Sequence, residues 1–159
     1  MAYGPAMSSR RSPTASDSRT LANMRSQGRG RDTGPELALR RILHARGLRY
    51  RVDHPLPFNK RRRADIVFLR ERVAVMVDGC YWHGCPEHHH RPKTNAEWWD
   101  TKIQRNRQRD VDTDRQLRGV GWLALRVWEH EDALEAADRV QAVVLERRQQ
   151  LFVDNDSGS

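Results

Sequence analysis

Asp65 interrupts the run Ala64-Asp65-Ile66-Val67-Phe68-Leu69, which is otherwise apolar. A carboxylate inside such a strand costs roughly several kcal/mol unless something pairs with it. Two partners are open: a divalent cation, or a basic neighbour such as Arg62 or Arg63. Asp78 ends the next apolar run, Val73 to Val77, and a hairpin of this length brings the two acids close enough to share one hard ion. Mg²⁺ takes one or two carboxylates and fills its shell with waters and phosphate oxygens, which this pair could supply. The alternative for Asp78 is that it only starts a turn. Glu36 could project from an upstream helix toward the same point and orient metal-bound water, although a helix cap accounts for it without any chemistry.

A second constellation is Cys80, Cys85 and His88, spaced C-x4-C-x2-H, with His130 following a later strand. Two thiolates and two imidazoles make the closed tetrahedral shell of a structural Zn²⁺ site. His89 and His90 compete for the same role, and a buried cysteine pair with solvated histidines is the plain alternative. A redox pair fits less well, since the spacing is not C-x2-C. His83, between the cysteines and five residues past Asp78, could act on a metal-bound water as general base or acid, its ordinary pKa of ~6.5 suiting that task. Otherwise it is another zinc ligand or a surface histidine.

Charge narrows the partners. The chain has 159 residues with 29 Lys+Arg against 21 Asp+Glu, a net charge of +8. Arginine forks suit phosphate, while a solubilising surface is the bland account. Tyr81, Trp82, Trp98 and Trp99 fall in one basic, His-rich stretch, where rings could stack on bases or wedge between them, or pack in the core. No stretch approaches the ~18 apolar residues of a membrane span, and no secretory signal opens the chain. A cytoplasmic protein without a membrane role is therefore expected.

The elements that must hold these residues follow from periodicity. Residues 1–31, with six Arg and one Asp, read as a flexible basic arm. Thr33-Gly34-Pro35-Glu36 reads as a capping box opening a helix, whose stripe of Leu37, Leu39, Ile42 and Leu43 ends at Gly47. Leu48, Tyr50 and Val52 alternate with polar residues as a strand, and a Pro-bearing loop ending in Lys60 to Arg63 follows. The two apolar runs around Arg70-Glu71-Arg72 form a hairpin of interior strands. Thr94 to Glu97 repeats the capping box before a long helix reaching about Arg118. Trp122 to Trp128 is a fourth strand. Glu131 to about Gln150 is a last helix with Leu134, Ala137, Val140, Val144 and Leu145 inward, and 151–159 is a disordered tail. The order helix, three strands, helix, strand, helix predicts an α/β fold with a mixed central sheet flanked by helices.

Asp78-Gly79-Cys80-Tyr81-Trp82-His83-Gly84-Cys85-Pro86-Glu87-His88 resembles the very-short-patch repair (Vsr) DNA mismatch endonucleases. The likeness continues through Pro92-Lys93-Thr94-Asn95, Trp99, Lys102-Ile103, Asn106 and Arg109-Asp110. Upstream it takes in Asn23-Met24-Arg25, Asp32-Thr33, Glu36, Tyr50-Arg51 and Ala64-Asp65, and downstream Gly121-Trp122 and Trp128-Glu129-His130, covering roughly 20–145.

The resemblance implies a restriction-endonuclease-like core with a zinc-stabilised loop, and an endonuclease domain over 32–150. It implies Mg²⁺-dependent nicking of one strand 5′ of the T in a T:G mismatch left by deamination of 5-methylcytosine. It places Asp65 as the metal-binding aspartate, Val77 as a backbone carbonyl in the same shell and His83 as the catalytic histidine. Cys80, Cys85, His88 and His130 take the zinc positions, and Tyr81, Trp82 and Trp99 the aromatic wedge, with Met24 and Arg25 as further DNA contacts. Some relatives carry His where this chain has Asp78, which shifts that position toward direct Mg²⁺ ligation, and Tyr81 replaces the commoner Phe. The implied partner is double-stranded DNA with a T:G mismatch, with mismatch-repair proteins as further candidates. A monomer, bacterial and nucleoid-associated, would suffice for a single nick. The rival readings are a nuclease of the same fold acting on other modified or branched DNA, and a noncatalytic zinc-containing DNA-binding module.

Overall fold

Apolar residues recurring every second position in Val73-Ala74-Val75-Met76-Val77 bury both faces of one strand, and the rest of the molecule is arranged around it. The computed structural model describes residues 33–80, 84–87 and 93–156. Its elements in chain order are α1 (Gly34–Ala45), β1 (Arg51–Leu56), β2 (Asn59–Phe68), β3 (Val73–Asp78), α2 (Ala96–Gly119), β4 (Leu123–Trp128) and α3 (Ala133–Asp156). The four strands form one sheet in the order β1-β2-β3-β4. The first two pairings are antiparallel and β3–β4 is parallel, which requires the crossover that α2 supplies.

Odd-numbered residues of β3, Val73 and Val75, point into a core shared with Leu39 and Leu43 of α1 and Ala137, Val140 and Val144 of α3. Even-numbered Ala74 and Met76 face a second core with Leu56, Val67 and Leu117 of α2. The sheet is thus covered by α1 and α3 on one face and α2 on the other, as the element order predicts.

Several local expectations are corrected. The first strand begins at Arg51 and runs through Pro55 to Leu56, and β2 takes up Lys60 to Arg63, which the sequence assigns to a loop. β1 is an edge strand, where proline's missing N–H goes unused, and a register shift at Pro55/Leu56 absorbs it. Neither capping box forms: Thr33 and Asn95 occupy the N-cap positions without a side-chain cap bond, because Glu36 turns to Arg40 at 3.3 Å and Asn95 is left-handed. The last helix continues to Asp156, past its expected end near Gln150, since no Gly or Pro interrupts Leu151 to Asp156. Leu134 and Leu145 are exposed; the helical turn of α3 that meets the sheet is centred on Ala137, Val140 and Val144 instead.

Candidate active site and metal centre

β2 and β3 pair only over Ile66–Phe68 and Val73–Val75, although both strands continue beyond that ladder. Asp65 stands where the pairing stops. Its Oδ2 accepts a hydrogen bond from the Val77 backbone N–H at 2.7 Å, so a side chain takes the place a strand carbonyl would fill. Its other oxygen, Oδ1, has no partner among the described residues. On the opposite side, Asp53 of β1 adopts φ 44°, a left-handed conformation unusual for a non-glycine residue, and the β1–β2 register steps over it.

The alternative partners for Asp65 are engaged elsewhere. Arg62 Nη1 bonds Asp112 Oδ2 at 2.7 Å and Thr113 at 2.9 Å, and Arg63 Nε bonds Asp53 at 2.8 Å. Burial raises the Asp65 carboxyl above the ordinary aspartate range. The Val77 N–H opposes this rise, the charges of Asp78 and Asp53 add to it, and Arg40 opposes it. A half-buried carboxylate with one oxygen uncommitted and its proton held too tightly has the chemistry of a hard-cation ligand awaiting its ion.

Glu36 is buried on α1. Its ion-pair partner Arg40 also acts electrostatically on Asp65, so Glu36 and Asp65 flank one guanidinium. Asp78 is buried at the end of β3, and its charge acts on Asp65. Both its oxygens, however, lie on Arg126 Nη1 of β4, at 3.0 and 2.9 Å. The sequence analysis missed Arg126, although a lone cation in Leu123-Ala124-Leu125-Arg126-Val127-Trp128 is the same oddity that singles out Asp65.

Just past these strand ends, Cys80 Sγ lies 3.0 Å and Cys85 Sγ 3.5 Å from His130 Nδ1. The three ligand atoms fall within 4.8 Å of one another, a spacing that could hold a metal ion. The parallel register Asp78↔Trp128 brings the two exits from the sheet side by side. Glu129 fastens them, its N–H donating to the Asp78 carbonyl and its Oε1 accepting from the Cys80 N–H, at 3.0 and 2.9 Å. Trp128 stacks on His130 at 6.4 Å. Burial, together with Cys85, pushes the Cys80 thiol up to about 11, so a metal would have to displace its proton.

Among the aromatic candidates, Trp99 is 7% exposed and Trp98 47%, the two rings meeting edge to face at 4.7 Å. Trp99 would have to leave this packing to enter DNA, whereas Trp98 presents its ring as it stands. His83, His88, Tyr81, Trp82, Met24 and Arg25 lie outside the described residues. No helix among the described residues is long and apolar enough to cross a membrane.

Comparison with known proteins places these features in context. The sequence profile of the family DNA mismatch endonuclease Vsr matches residues 14–91. The chain is 46% identical over 114 residues to the type II nicking enzyme V.NaeI of Lentzea aerocolonigenes, covering 70% of this chain and 67% of that protein. It is 39% identical over 119 residues to the type II nicking enzyme V.XorIIP of Xanthomonas oryzae, covering 69% and 82%. Against the DNA mismatch endonuclease Vsr of Escherichia coli it is 34% identical over 135 residues, covering 81% and 80%.

Proposed function

The chain belongs to the Vsr family of DNA mismatch endonucleases, and from that membership we propose that it nicks one strand of duplex DNA 5′ of the T in a T:G mismatch, in a Mg²⁺-dependent step that opens very-short-patch repair. Membership of an endonuclease family sets aside the noncatalytic zinc module. The single observation that carries the metal reading is Asp65, with one oxygen fixed by the Val77 amide and the other without a partner among the described residues.

Asp65 and the Val77 carbonyl would hold Mg²⁺, which when bound neutralises charge on the scissile phosphate and makes water a stronger nucleophile. Asp65 binds in a fixed orientation because a strand amide, set by the sheet, aims it. Asp78 assists through its charge, and Glu36 orients water from α1. His83 moves the proton. Cys80, Cys85, His88 and His130 fit a structural Zn²⁺ that ties the loop bearing His83 to the sheet. Tyr81, Trp82 and Trp99, with Met24 and Arg25 from the basic arm, contact DNA. A mismatch is favoured because an already weakened base step costs less to unstack. The order of helices around a mixed sheet supports a restriction-endonuclease-like core. One nick needs one active site, so a monomer acting on chromosomal DNA in the cytoplasm is the matching form, with mismatch-repair proteins as candidate partners.

A second reading changes the target, not the chemistry. The 46% identity to a type II nicking enzyme favours a nuclease that serves a restriction or defence setting and accepts other modified or branched DNA. Strand-resolved cleavage of matched, T:G-mismatched, methylated and branched duplexes, with and without Mg²⁺, separates the two. In the same assay Asp65→Asn is expected to keep duplex binding and lose nicking by on the order of 10³-fold. Equal nicking by Asp65→Asn and wild type removes the assignment.

A further inference from the structure

Arg126 gathers carboxylates from two elements. Its Nη1 reaches both oxygens of Asp78 on β3, at 3.0 and 2.9 Å, and Asp110 Oδ1 of α2 at 3.4 Å. Its Nε and Nη2 reach Asp114 of α2, at 3.1 and 2.9 Å, and Nη2 also donates to the Asp110 carbonyl at 3.3 Å. The side chain is 23% exposed. Three acids beside a candidate Mg²⁺ ligand, drawn from neighbouring elements onto one point, is the donor arrangement with which two-metal hydrolases bridge a second divalent ion. Here that point is filled by a guanidinium tethered to β4, whose planar fork meets several carboxylates at once.

We propose that Arg126 is a positioning residue that serves as the resident cation of the Asp78–Asp110–Asp114 cluster, withholding Asp78 from metal so that the nuclease carries a single divalent ion, anchored at Asp65. This rests on the reading of Asp65 as a metal ligand, and it narrows the expectation that Asp78 shares the ion. Arg126 touches no reacting atom. It acts by fixing Asp78 at the end of β3, next to Val77, and by tying that strand end to α2. Arg139 steadies Arg126 in turn, donating to its backbone carbonyl at 2.8 Å.

The test is the number of Mn²⁺ ions bound by the zinc-loaded full-length chain, followed by the electron paramagnetic resonance of free Mn²⁺. Wild type is expected to bind one ion and Asp65→Asn none. Arg126→Met should bind two, and Arg126→Lys, which restores a fixed cation, one. The double variant Asp65→Asn/Arg126→Met should keep one ion that Asp78→Asn then removes. A merely structural Arg126 would lower the melting temperature of Arg126→Met without changing the count. One ion in a folded Arg126→Met overturns the proposal, and so does an ion in Asp65→Asn that Asp78→Asn abolishes. The latter arm keeps Arg126 in place, so it decides even if Arg126→Met does not fold. Failure of the underlying reading has a different signature: Asp65→Asn would nick a T:G duplex as wild type does.

Discussion

Asp65 is a costly residue to fold around. Burial raises its carboxyl above the ordinary aspartate range, so the folded chain favours the protonated form. The stability this confers is fully present below the unfolded value of ~3.9 and is lost as pH rises through the raised one. Asn at this position keeps an acceptor for the Val77 N–H and carries no charge. Asp65→Asn is therefore expected to melt higher than wild type near neutral pH in Mg²⁺-free buffer, with the difference vanishing at pH 3. Equal melting temperatures at pH 7 would mean that burial imposes no cost there. The residue was legible because a charge in an apolar run violates its surroundings. Its orienting partner was not, because the Val77 amide becomes available only through the register at which β2 and β3 part. Arg126 could have been found by the argument applied to Asp65; its three aspartates could not, since they lie on separate elements.

At the scale of elements, the loop after β3 is seated on α2 by close packing at Gly84. Gly84 has φ 61°, and a Cβ there would stand 2.6 Å from Arg107 Nη2 and 2.8 Å from Ile103 Cγ2, while Arg107 also donates to the Gly84 carbonyl. Arg107 can swing away, but Ile103 is buried and the backbone strain remains. Gly84→Ala is expected to cost about 1–3 kcal/mol, read as a lower denaturation midpoint with weaker zinc retention. An unchanged midpoint would show that the loop lifts off α2 freely. The helices and interior strands were readable because their apolar periods are strong. β1 and the start of β2 were not: Pro55 and the basic run Lys60–Arg63 read as loop, yet an edge hairpin accommodates both, the proline at a register shift and the cations mostly in solvent.

Across the whole molecule, the candidate zinc donors join segments far apart in sequence: Cys80 after β3, Cys85 in the loop, His130 after β4. Metal there would close the connection that contains α2 and hold both strand exits together. Stripping zinc with a chelator is expected to lower the melting temperature by more than ~5 °C and abolish nicking, with zinc affinity falling as pH drops because the thiols must lose their protons. Metal-free protein that melts like the zinc-loaded form would contradict a structural role. The cluster was readable from C-x4-C spacing, but the meeting of His130 with the cysteines depends on the parallel β3–β4 register.

The hydrogen bond that aims Asp65 comes from main chain, and this shapes how the family can vary. A side-chain orienter can be lost to a single codon change, whereas an amide hydrogen is present in nineteen of the twenty encoded residues. Drift at position 77 can therefore alter bulk and polarity while leaving that hydrogen bond donor intact, and proline alone would erase it.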